Sequence, residues 1–239
     1  MPEERGPGLK IPSLTIVVPA YNEAKTIRRV VEKLFSVPMP ARIEVIVVDD
    51  GSSDGTADAA AGTKNPALKV LRHAANQGKG AAIRTALGCA TGDYTLIQDA
   101  DLEYDPAEIP LLLETAAEKN APVVYGSRIL KKGNRSSYAR YYWGGRLISL
   151  WTNLLFFSSI SDEPTCYKLF RTDLLRSFDL RCARFEFCPE VTGKPLRRGI
   201  PIVEVPISYQ PRSLEEGKKI RFKDGLIALW TLLRIRLFG

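Results

Sequence analysis

The chain has 239 residues, of which 45% are hydrophobic and 26% are charged. These fractions are ordinary for a globular protein, so they exclude a disordered chain, a collagen and a coiled coil. The net charge of +7 is unevenly placed: residues 1–122 carry 13 basic and 17 acidic side chains, and residues 123–239 carry 21 basic and 10 acidic ones. Solvated surface charge would account for either half alone. The contrast also suits a divalent cation in the first half, and phosphates, nucleic acid or an anionic membrane in the second.

Cysteines, histidine and apolar runs narrow the class of protein further. The single histidine, His73, excludes a mechanism that needs several histidines. Cys89, Cys166, Cys182 and Cys188 show no metal-binding spacing, which favours reduced thiols in the cytosol. The first ten residues lack the apolar core of a secretory signal, and no apolar run reaches the ~18–20 residues of a spanning helix. We therefore expect a cytoplasmic protein that is not an integral membrane protein by itself.

Strands and helices alternate along the first half of the chain. Five short runs are apolar at successive positions, as in strands covered on both faces of a parallel sheet: 14–18, 43–48, 68–71, 94–97 and 123–125. Helices are predicted over 23–36, 55–63, 79–90 and 106–119, the last beginning with Asp105 as N-cap and Pro106. This order predicts an α/β fold with a doubly wound sheet, whose ligands bind at the carboxyl ends of the strands.

The second half is less regular and combines basic with apolar segments. We predict helices over 138–159, 186–198 and 224–238, and a strand over 203–209. Residues 128–146 include six basic and no acidic side chains, and the last helix holds an apolar run between basic flanks. Such helices suit the surface of an anionic membrane, although packing on the core would explain the same periodicity.

Polar residues follow three of the predicted strands, at 19–23, 49–55 and 99–103. One such strand end could be a turn or a helix cap, but three on adjacent parallel strands would meet in one crevice. In the extended sequence Asp99-x-Asp101-x-Glu103 the carboxylates share a face, so their oxygens can reach one Mg²⁺ or Mn²⁺. A hard cation held by so few carboxylates is usually completed by substrate phosphates, which points to a nucleoside diphosphate.

The sequence Gly78-Lys79-Gly80 is the second candidate for phosphate binding. It is neither a dinucleotide fingerprint, because Ile83 replaces the third glycine, nor a P-loop, because His73 stands five residues before Gly78 and Gly80 replaces Ser or Thr. A glycine-flanked lysine at the start of a helix can still meet a phosphate. A simple turn explains the spacing equally well.

The ordered motifs resemble the family 2 glycosyltransferases. The resemblance lies in Val-Pro-Ala-Tyr-Asn-Glu (18–23), Val-Val-Asp-Asp-Gly-Ser-Ser-Asp-Gly-Thr (47–56), Asn-Gln-Gly-Lys-Gly (76–80) and Asp-Ala-Asp (99–101). Later motifs look like those of the dolichyl-phosphate mannose synthases and the bacterial polyprenyl-phosphate hexose synthases: Tyr-Gly-Ser-Arg (125–128), Asp-Glu-Pro-Thr-Cys-Tyr-Lys-Leu-Phe (162–170), and Arg212 followed by Gly-Lys-Lys (217–219). The match spans about residues 13–225.

This resemblance implies a GT-A fold, which is a Rossmann-like, mostly parallel sheet flanked by helices, with C-terminal amphipathic interface helices. It implies a tail over 1–12, a nucleotide- and metal-binding half over 13–122 and an acceptor-binding half over 123–223. A membrane-interface helix would follow over 224–239. The implied activity is an inverting, metal-dependent transfer of a hexose from GDP-mannose or a UDP-sugar to a polyprenyl or dolichyl phosphate. The expected place is the cytoplasmic face of the membrane.

The resemblance also implies roles for individual residues. Asp99, Asp101 and Arg128 would be catalytic, and Arg128 with Arg140 would bind the acceptor phosphate. Asp101 and Glu103 would hold Mg²⁺ or Mn²⁺, with Glu103 standing where the mannose synthases commonly have glutamine. The implied donor site comprises Pro19, Ala20, Tyr21, Glu23, Val48, Asp50, Lys79, Asp99, Ala100, Asp101, Arg212 and Lys218.

The acceptor could be a phosphate or a hydroxyl group. A phosphate monoester, with a second pKa of about 6, is anionic near neutrality and needs no general base. A saccharide or lipid hydroxyl would need one, and Asp162, Glu163 or Glu190 would have to serve.

Two other classes explain less of the sequence. A sugar-1-phosphate nucleotidyltransferase would need a glycine-rich loop where 19–23 stands. A nucleic-acid binder leaves the acidic motif unexplained, so we expect no nucleic-acid partner.

Overall fold

The structure is a computed structural model and describes residues 13–134, 138–212 and 222–238. Its described strands form a single sheet and are β1 (Ser13–Ala20), β2 (Arg42–Asp49), β3 (Leu68–Arg72), β4 (Tyr94–Ile97), β5 (Val123–Ser127), β6 (Lys168–Arg171) and β7 (Val203–Pro206). The helices are α1 (Ile27–Ser36), α2 (Thr56–Ala61), α3 (Lys79–Leu87), α4 (Ile109–Glu118), α5 (Ala139–Phe156), α6 (Thr172–Arg176), α7 (Phe187–Arg197) and α8 (Phe222–Phe238). A 3₁₀ turn, Pro106–Glu108, precedes α4.

The sheet has the strand order β3-β2-β1-β4-β6-β5-β7. Every neighbouring pair is parallel except the two that include β6, which runs antiparallel to β4 and to β5. The predicted, mostly parallel sheet is therefore confirmed. The sequence did not predict β6 or the short α6, because the four residues of β6 begin and end with a basic side chain and give no apolar run.

The central strands bring the polar strand ends together. β1 lies between β2 and β4, with Ala20 opposite Asp49 and Val17 opposite Ile97. Their inner residues are buried, as the continuous apolar runs predict. The loops after β1, β2 and β4 consequently leave the same edge of the sheet side by side.

Helix α1 begins four residues later than predicted. Its buried residues Ile27, Val30, Val31 and Leu34 follow the helical period. Residues 23–26 precede the helix because the backbone of Glu23 is bound to the segment after β2: Glu23 N donates to Thr56 Oγ1 at 2.9 Å. The predicted cap at Asp105 is confirmed: its side chain accepts from Ala107 N at 2.9 Å, and the first turn is 3₁₀ rather than α-helical.

The two amphipathic helices of the second half pack on each other and expose an apolar face. Trp151 Nε1 of α5 donates to Leu229 O of α8 at 3.2 Å, and Phe156, Leu232 and Ile235 form a buried cluster between the helices. Each helix thus packs one side against its neighbour, as the core-packing interpretation expected, and leaves apolar side chains exposed on the other side. In the part of the chain that the structure describes, no helix combines the length and apolarity needed to cross a bilayer.

Candidate functional site

The loop after β1 is fixed by the loop after β2. Asn22 adopts a left-handed backbone conformation, its N–H donates to Ser52 Oγ at 2.8 Å, and its Oδ1 accepts from Ser53 N at 3.0 Å. Ala24 N donates to Asp54 Oδ2 at 3.0 Å. These bonds hold the preceding residues of the loop rigidly, including the exposed ring of Tyr21.

The predicted donor-site residues Ala20, Val48, Asp50 and Ala100 are buried at this edge of the sheet. Asp50 is 3% exposed and is occupied by protein donors. Its Oδ1 lies 2.7 Å from His73 Nδ1 and accepts from Gln77 N at 2.9 Å, and its Oδ2 accepts from Gly78 N at 2.7 Å. This carboxylate therefore caps the turn that leads into α3. The backbone amides of that turn, which the sequence offered for a phosphate, already bind a protein anion.

An open cleft of about 420 Å³ lies beside this turn, at the ends of β2 and β3. It is lined by Gly51, Ser52, Arg72, His73 and Ala74. Arg72 Nε lies 3.4 Å from Asp49 Oδ2, a buried oxygen that has no hydrogen-bond partner among the described residues. Sequence reasoning placed Asp49 in the polar strand end 49–55 but missed Arg72, the last residue of β3.

Lys79 forms an ion pair with Asp99, the first residue of the acidic motif. Its Nζ lies 2.6 Å from Asp99 Oδ1 and 3.9 Å from Cys166 Sγ. Burial by itself would lower the pKa of Lys79, but the Asp99 carboxylate and nearby thiols outweigh it and raise that pKa well above its ordinary value. Lys79 therefore stays charged and balances Asp99.

The other two acidic residues of the motif are less well balanced. Burial, followed by the negative charges of Asp99 and Glu103, raises the pKa of Asp101 to about 7. Within the described ranges, no group of three or more His, Cys, Asp and Glu side chains is arranged to hold a metal ion. The excess of negative charge around Asp101 nevertheless fits a divalent cation, provided that other ligands come from a substrate.

The segment 207–212, which we call the strap, crosses the acidic motif after β7. Arg212 N donates to Glu103 Oε1 at 2.7 Å, and Arg212 Nε donates to Asp101 O at 2.8 Å. The two terminal nitrogens of Arg212 donate to the carboxylate of Glu23 at 3.2 and 3.0 Å. The predicted residues Glu23, Asp101, Glu103 and Arg212 are thus brought together. Lys218, the remaining predicted donor ligand, lies outside the described residues.

Arg128 directly follows β5, and Asp162 holds its side chain in place. Its Nε and Nη2 donate to the two carboxylate oxygens of Asp162 at 2.8 and 2.7 Å. Its guanidinium carbon lies 6.0 Å from the ring centroid of Tyr104 and 5.0 Å from that of Tyr209. Although burial opposes ionisation, Arg128 holds the pKa of Asp162 below its usual range. The arginine is consequently charged, and Asp162 fixes its orientation through Nε and Nη2.

The two remaining arginines of interest differ in their contacts. The guanidinium of Arg140 lies over the rings of Tyr138 and Tyr141, at 5.4 and 5.0 Å. Arg146 Nη1 instead donates to Ser161 O at 3.1 Å, next to the residue that orients Arg128. The structure therefore places Arg146 near Arg128, a role that its position in a purely basic segment did not reveal.

The three candidate general bases have other partners or no access. Asp162 holds Arg128, as described above. Glu190 accepts from Arg181 N at 2.9 Å and from Cys182 N at 2.9 Å. Glu163 is 1% exposed, and burial raises its pKa. None of these three carboxylates is an exposed, uncommitted base.

Comparisons with known proteins identify the family of the chain. Residues 15–178 match the family described as Glycosyl transferase family 2. The chain is 32% identical over 244 residues to the undecaprenyl-phosphate mannosyltransferase of Micrococcus luteus, covering 92% of this chain and 97% of that protein. It is 27% identical over 210 residues to the dolichol-phosphate mannosyltransferase of Pyrococcus furiosus, covering 86% of this chain and 58% of that protein.

A solved structure supports the same fold. It is a glucosyl-3-phosphoglycerate synthase from Mycobacterium tuberculosis, in complex with Mn²⁺, uridine diphosphate and glucosyl-3-phosphoglycerate. The TM-score is 0.74 at 20% identity, over 94% of this chain and 80% of that one. The GT-A fold that the motifs imply is confirmed. Since the family match covers well over half of the sequence, the chain belongs to glycosyl transferase family 2 and is a glycosyltransferase.

Proposed function

We propose that the protein transfers a hexose from a nucleotide diphosphate sugar to a polyprenyl phosphate, with inversion at the anomeric carbon. The observation that carries this proposal is Arg128, a charged guanidinium held by Asp162 beside two tyrosine rings that contact each other. Two relatives whose names specify undecaprenyl-phosphate and dolichol-phosphate mannosyltransferases support the lipid phosphate as acceptor and mannose as the first sugar to test.

On the donor side, the nucleoside would bind beside Pro19, Ala20, Tyr21 and Val48. Asp50 would act indirectly, because it accepts hydrogen bonds from the turn that precedes α3. Asp101 and Glu103 would hold Mg²⁺ or Mn²⁺, as the charge around Asp101 fits. A bound divalent cation would offset the negative charge of the donor diphosphate. Arg212 extends across the same carboxylates, so its guanidinium would meet the diphosphate at the expense of its bonds to Glu23.

On the acceptor side, Arg128 and Arg146 would receive the lipid phosphate. Asp162 accepts from Nε and Nη2 of Arg128, so Nη1 is the nitrogen that would meet the phosphate. Arginine binds phosphate with directed hydrogen bonds. Arg140 would attract the phosphate from its more exposed position on α5. No described carboxylate needs to take a proton, because a phosphate monoester is already largely anionic at neutral pH.

The proposed transfer needs no general base, because the acceptor oxygen is already deprotonated. A phosphate oxygen of the acceptor forms the new bond to the sugar C1, and the bond from C1 to the donor diphosphate breaks on the opposite face. The electron pair leaves with the nucleoside diphosphate. Lys79, through its ion pair, holds Asp99 in a fixed position beside this leaving group.

The deciding experiment offers the enzyme one donor with either a polyprenyl phosphate or the corresponding free polyprenol. We expect transfer to the phosphate and at least a hundredfold slower transfer to the alcohol. Arg128→Lys should raise the KM for the phosphate acceptor roughly tenfold and leave the KM for the donor nearly unchanged, because a lysine cannot reproduce the paired contact. Arg28→Lys, on the exposed face of α1, is the matched control. Equal rates with both acceptors would overturn the proposal and make Glu163 the base to investigate.

We further propose that the enzyme works on the cytoplasmic face of an anionic membrane, held there by α5 and α8. Trp143, Leu147, Leu150 and Leu154 of α5 are exposed and follow one another at steps of four and three residues. They therefore form one stripe, about 17 Å long at 1.5 Å per residue. The exposed Phe157 follows directly after the helix.

On α8, the exposed apolar residues include Leu226, Trp230 and Leu237. Arg236 lies 5.9 Å from the ring centroid of Phe157, so the ends of the two helices meet. Exposed apolar residues with basic neighbours favour the interface of an anionic bilayer. One of the two helices, α5, also carries Arg146.

A further inference from the structure

The strap lies between Arg128 and the acidic motif and is hydrogen-bonded toward both. Asn134 Nδ2 donates to Arg128 O at 2.7 Å, and Asn134 Oδ1 accepts from Tyr209 N at 3.0 Å. Further along, Arg212 N donates to Glu103 Oε1 at 2.7 Å. The backbone around Arg128 is therefore linked to Glu103 through a short run of hydrogen-bonded chain.

Within the strap, the side chain of Tyr209 contacts both functional groups directly. Its hydroxyl donates to Glu103 Oε2 at 2.8 Å. The centroid of its ring lies 5.0 Å from the guanidinium carbon of Arg128, with Tyr104 contributing a second ring at 6.0 Å. A tyrosine ring is rigid, so a displacement of the hydroxyl end also displaces the ring against the guanidinium.

We propose that Tyr209 is a positioning residue that couples acceptor binding at Arg128 to donor and cation binding at Glu103. This inference rests on the proposed function. When Glu103 is fixed by a cation and the donor, it holds the Tyr209 hydroxyl, and the ring holds Arg128 in the orientation that the acceptor phosphate requires. Because such coupling is reciprocal, a bound acceptor also strengthens donor binding.

The structure separates the two contacts of this side chain. Tyr209→Phe removes the hydroxyl that reaches Glu103 and retains the ring beside Arg128. Tyr209→Leu removes the ring as well. Tyr94→Phe is a matched control, since it removes a buried hydroxyl that donates to Ala121 O at 3.0 Å and not to Glu103.

The test is calorimetric titration with a short-chain polyprenyl phosphate in detergent micelles. It is run without nucleotide, and again with Mn²⁺ and whichever of UDP or GDP inhibits the wild-type enzyme. We expect nucleotide and Mn²⁺ to raise the acceptor affinity of the wild type and of Tyr94→Phe by about fivefold or more. Tyr209→Phe should bind the acceptor alone within about twofold of wild type and lose this increase. Tyr209→Leu should bind the acceptor about tenfold more weakly even without nucleotide, because it lacks the cation–π contact.

A full nucleotide-dependent increase in Tyr209→Phe would overturn the coupling, as would a wild type that shows no increase. Wild-type acceptor affinity in Tyr209→Leu would overturn the role of the ring. These results differ from failure of the proposed function, in which the wild type itself neither binds a polyprenyl phosphate nor glycosylates it, and the coupling is refuted with it.

Discussion

At the scale of single residues, the carboxylates of the site differ in what balances their charge. Lys79 balances Asp99, Arg128 balances Asp162, and three protein donors stabilise Asp50. Among the described residues, no ion pair to Asp101 matches these, and its raised pKa reflects burial and like charges. A bound divalent cation would supply the missing balance.

Replacement of Asp101 should therefore affect activity more than replacement of an equally acidic surface residue. We expect Asp101→Ala to lower kcat/KM at least a hundredfold, the scale observed when one electrostatic stabiliser is lost. Asp99→Ala should also be severe, and Asp101→Asn should retain some activity because an amide oxygen coordinates weakly. Initial rates are compared after EDTA treatment and after return of Mg²⁺ or Mn²⁺. Asp58→Ala, on exposed α2, is the control, and full turnover in excess EDTA would contradict the role of the metal.

Asp162 should contribute to stability in a pH-dependent manner. Its folded pKa lies below the unfolded value of about 3.9, so its contribution is fully present above that value and is lost as the pH falls through the folded pKa. Asp162→Asn should lower the free energy of unfolding at pH 7 by about 3 kcal/mol, because Arg128 loses its buried partner. Urea unfolding followed by tryptophan fluorescence should show the difference from wild type shrinking below about pH 4.

The exposed pair of Asp173 with Arg171 supplies the control for that measurement. Asp173→Asn should change stability much less at every pH, because solvent screens the pair. A loss in Asp162→Asn that stays constant between pH 7 and pH 3 would show that the ion pair is not its origin.

At the scale of elements, the N-terminus of α3 depends on a side chain from another strand end. Asp50 accepts from the amides of Gln77 and Gly78, immediately before Lys79. Gly78 itself has a φ of +102°, and an added Cβ would lie 2.5 Å from Ala183 O. The turn that aims Lys79 at Asp99 is thus specified by Asp50 and by the absence of a side chain at Gly78.

We predict that Asp50→Asn acts through this turn and not through recognition of the nucleobase. It should weaken inhibition by UDP and by GDP about tenfold each, because both depend on a correctly placed Lys79. The measurement is the inhibition constant of each nucleotide for mutant and wild type. Thr85→Val, which removes only the distal partner of His73, should change neither constant by more than about twofold. A selective loss for one of the two nucleotides would show that Asp50 reads the base.

At the scale of the whole molecule, apolar and basic surfaces lie on the same pair of helices. Trp143 is 68% exposed and Leu150 is 66% exposed, although both lie on a helix whose opposite side is packed. Exposed apolar groups in one stripe mark an interaction surface more often than isolated ones do. Under the proposed membrane docking, the arginines of these helices would favour an anionic surface.

Liposome co-sedimentation tests this surface. The combined substitution of Trp143 and Leu150 by serine should reduce binding to anionic vesicles at least tenfold, since each buried apolar side chain contributes about 1.5–3 kcal/mol. Binding of the wild type should also weaken between 0.05 and 0.5 M NaCl, because salt screens exposed charges. Leu111→Ser, at an exposed leucine of α4, is the control. Sedimentation that is insensitive to both salt and the double substitution would refute membrane docking by this face.

Several features could be predicted because they depend on local pattern alone. Continuous apolar runs predicted β1, β2 and β4, and the strand order makes their polar ends neighbours. The spacing of Asp99, Asp101 and Glu103 and the ordered motifs were sufficient for the fold and the family. In each case the signal lies within a few consecutive residues, where backbone periodicity determines which side chains share a face.

Only the tertiary structure decided which charges neutralise one another. The partners Arg128 and Asp162 are 34 residues apart in the sequence, and the strap reaches Glu103 across 106 residues at Tyr209. Such pairs form because the sheet order and the insertion of β6 bring distant strand ends together, and no local periodicity encodes that. The sequence by itself therefore determined the fold class, the family and the position of the acidic motif at the carboxyl ends of the strands. The tertiary structure decided that Asp50 supports a turn, that Arg146 lies near Arg128, and that Tyr209 joins the two sides of the site, because these contacts depend on long-range packing.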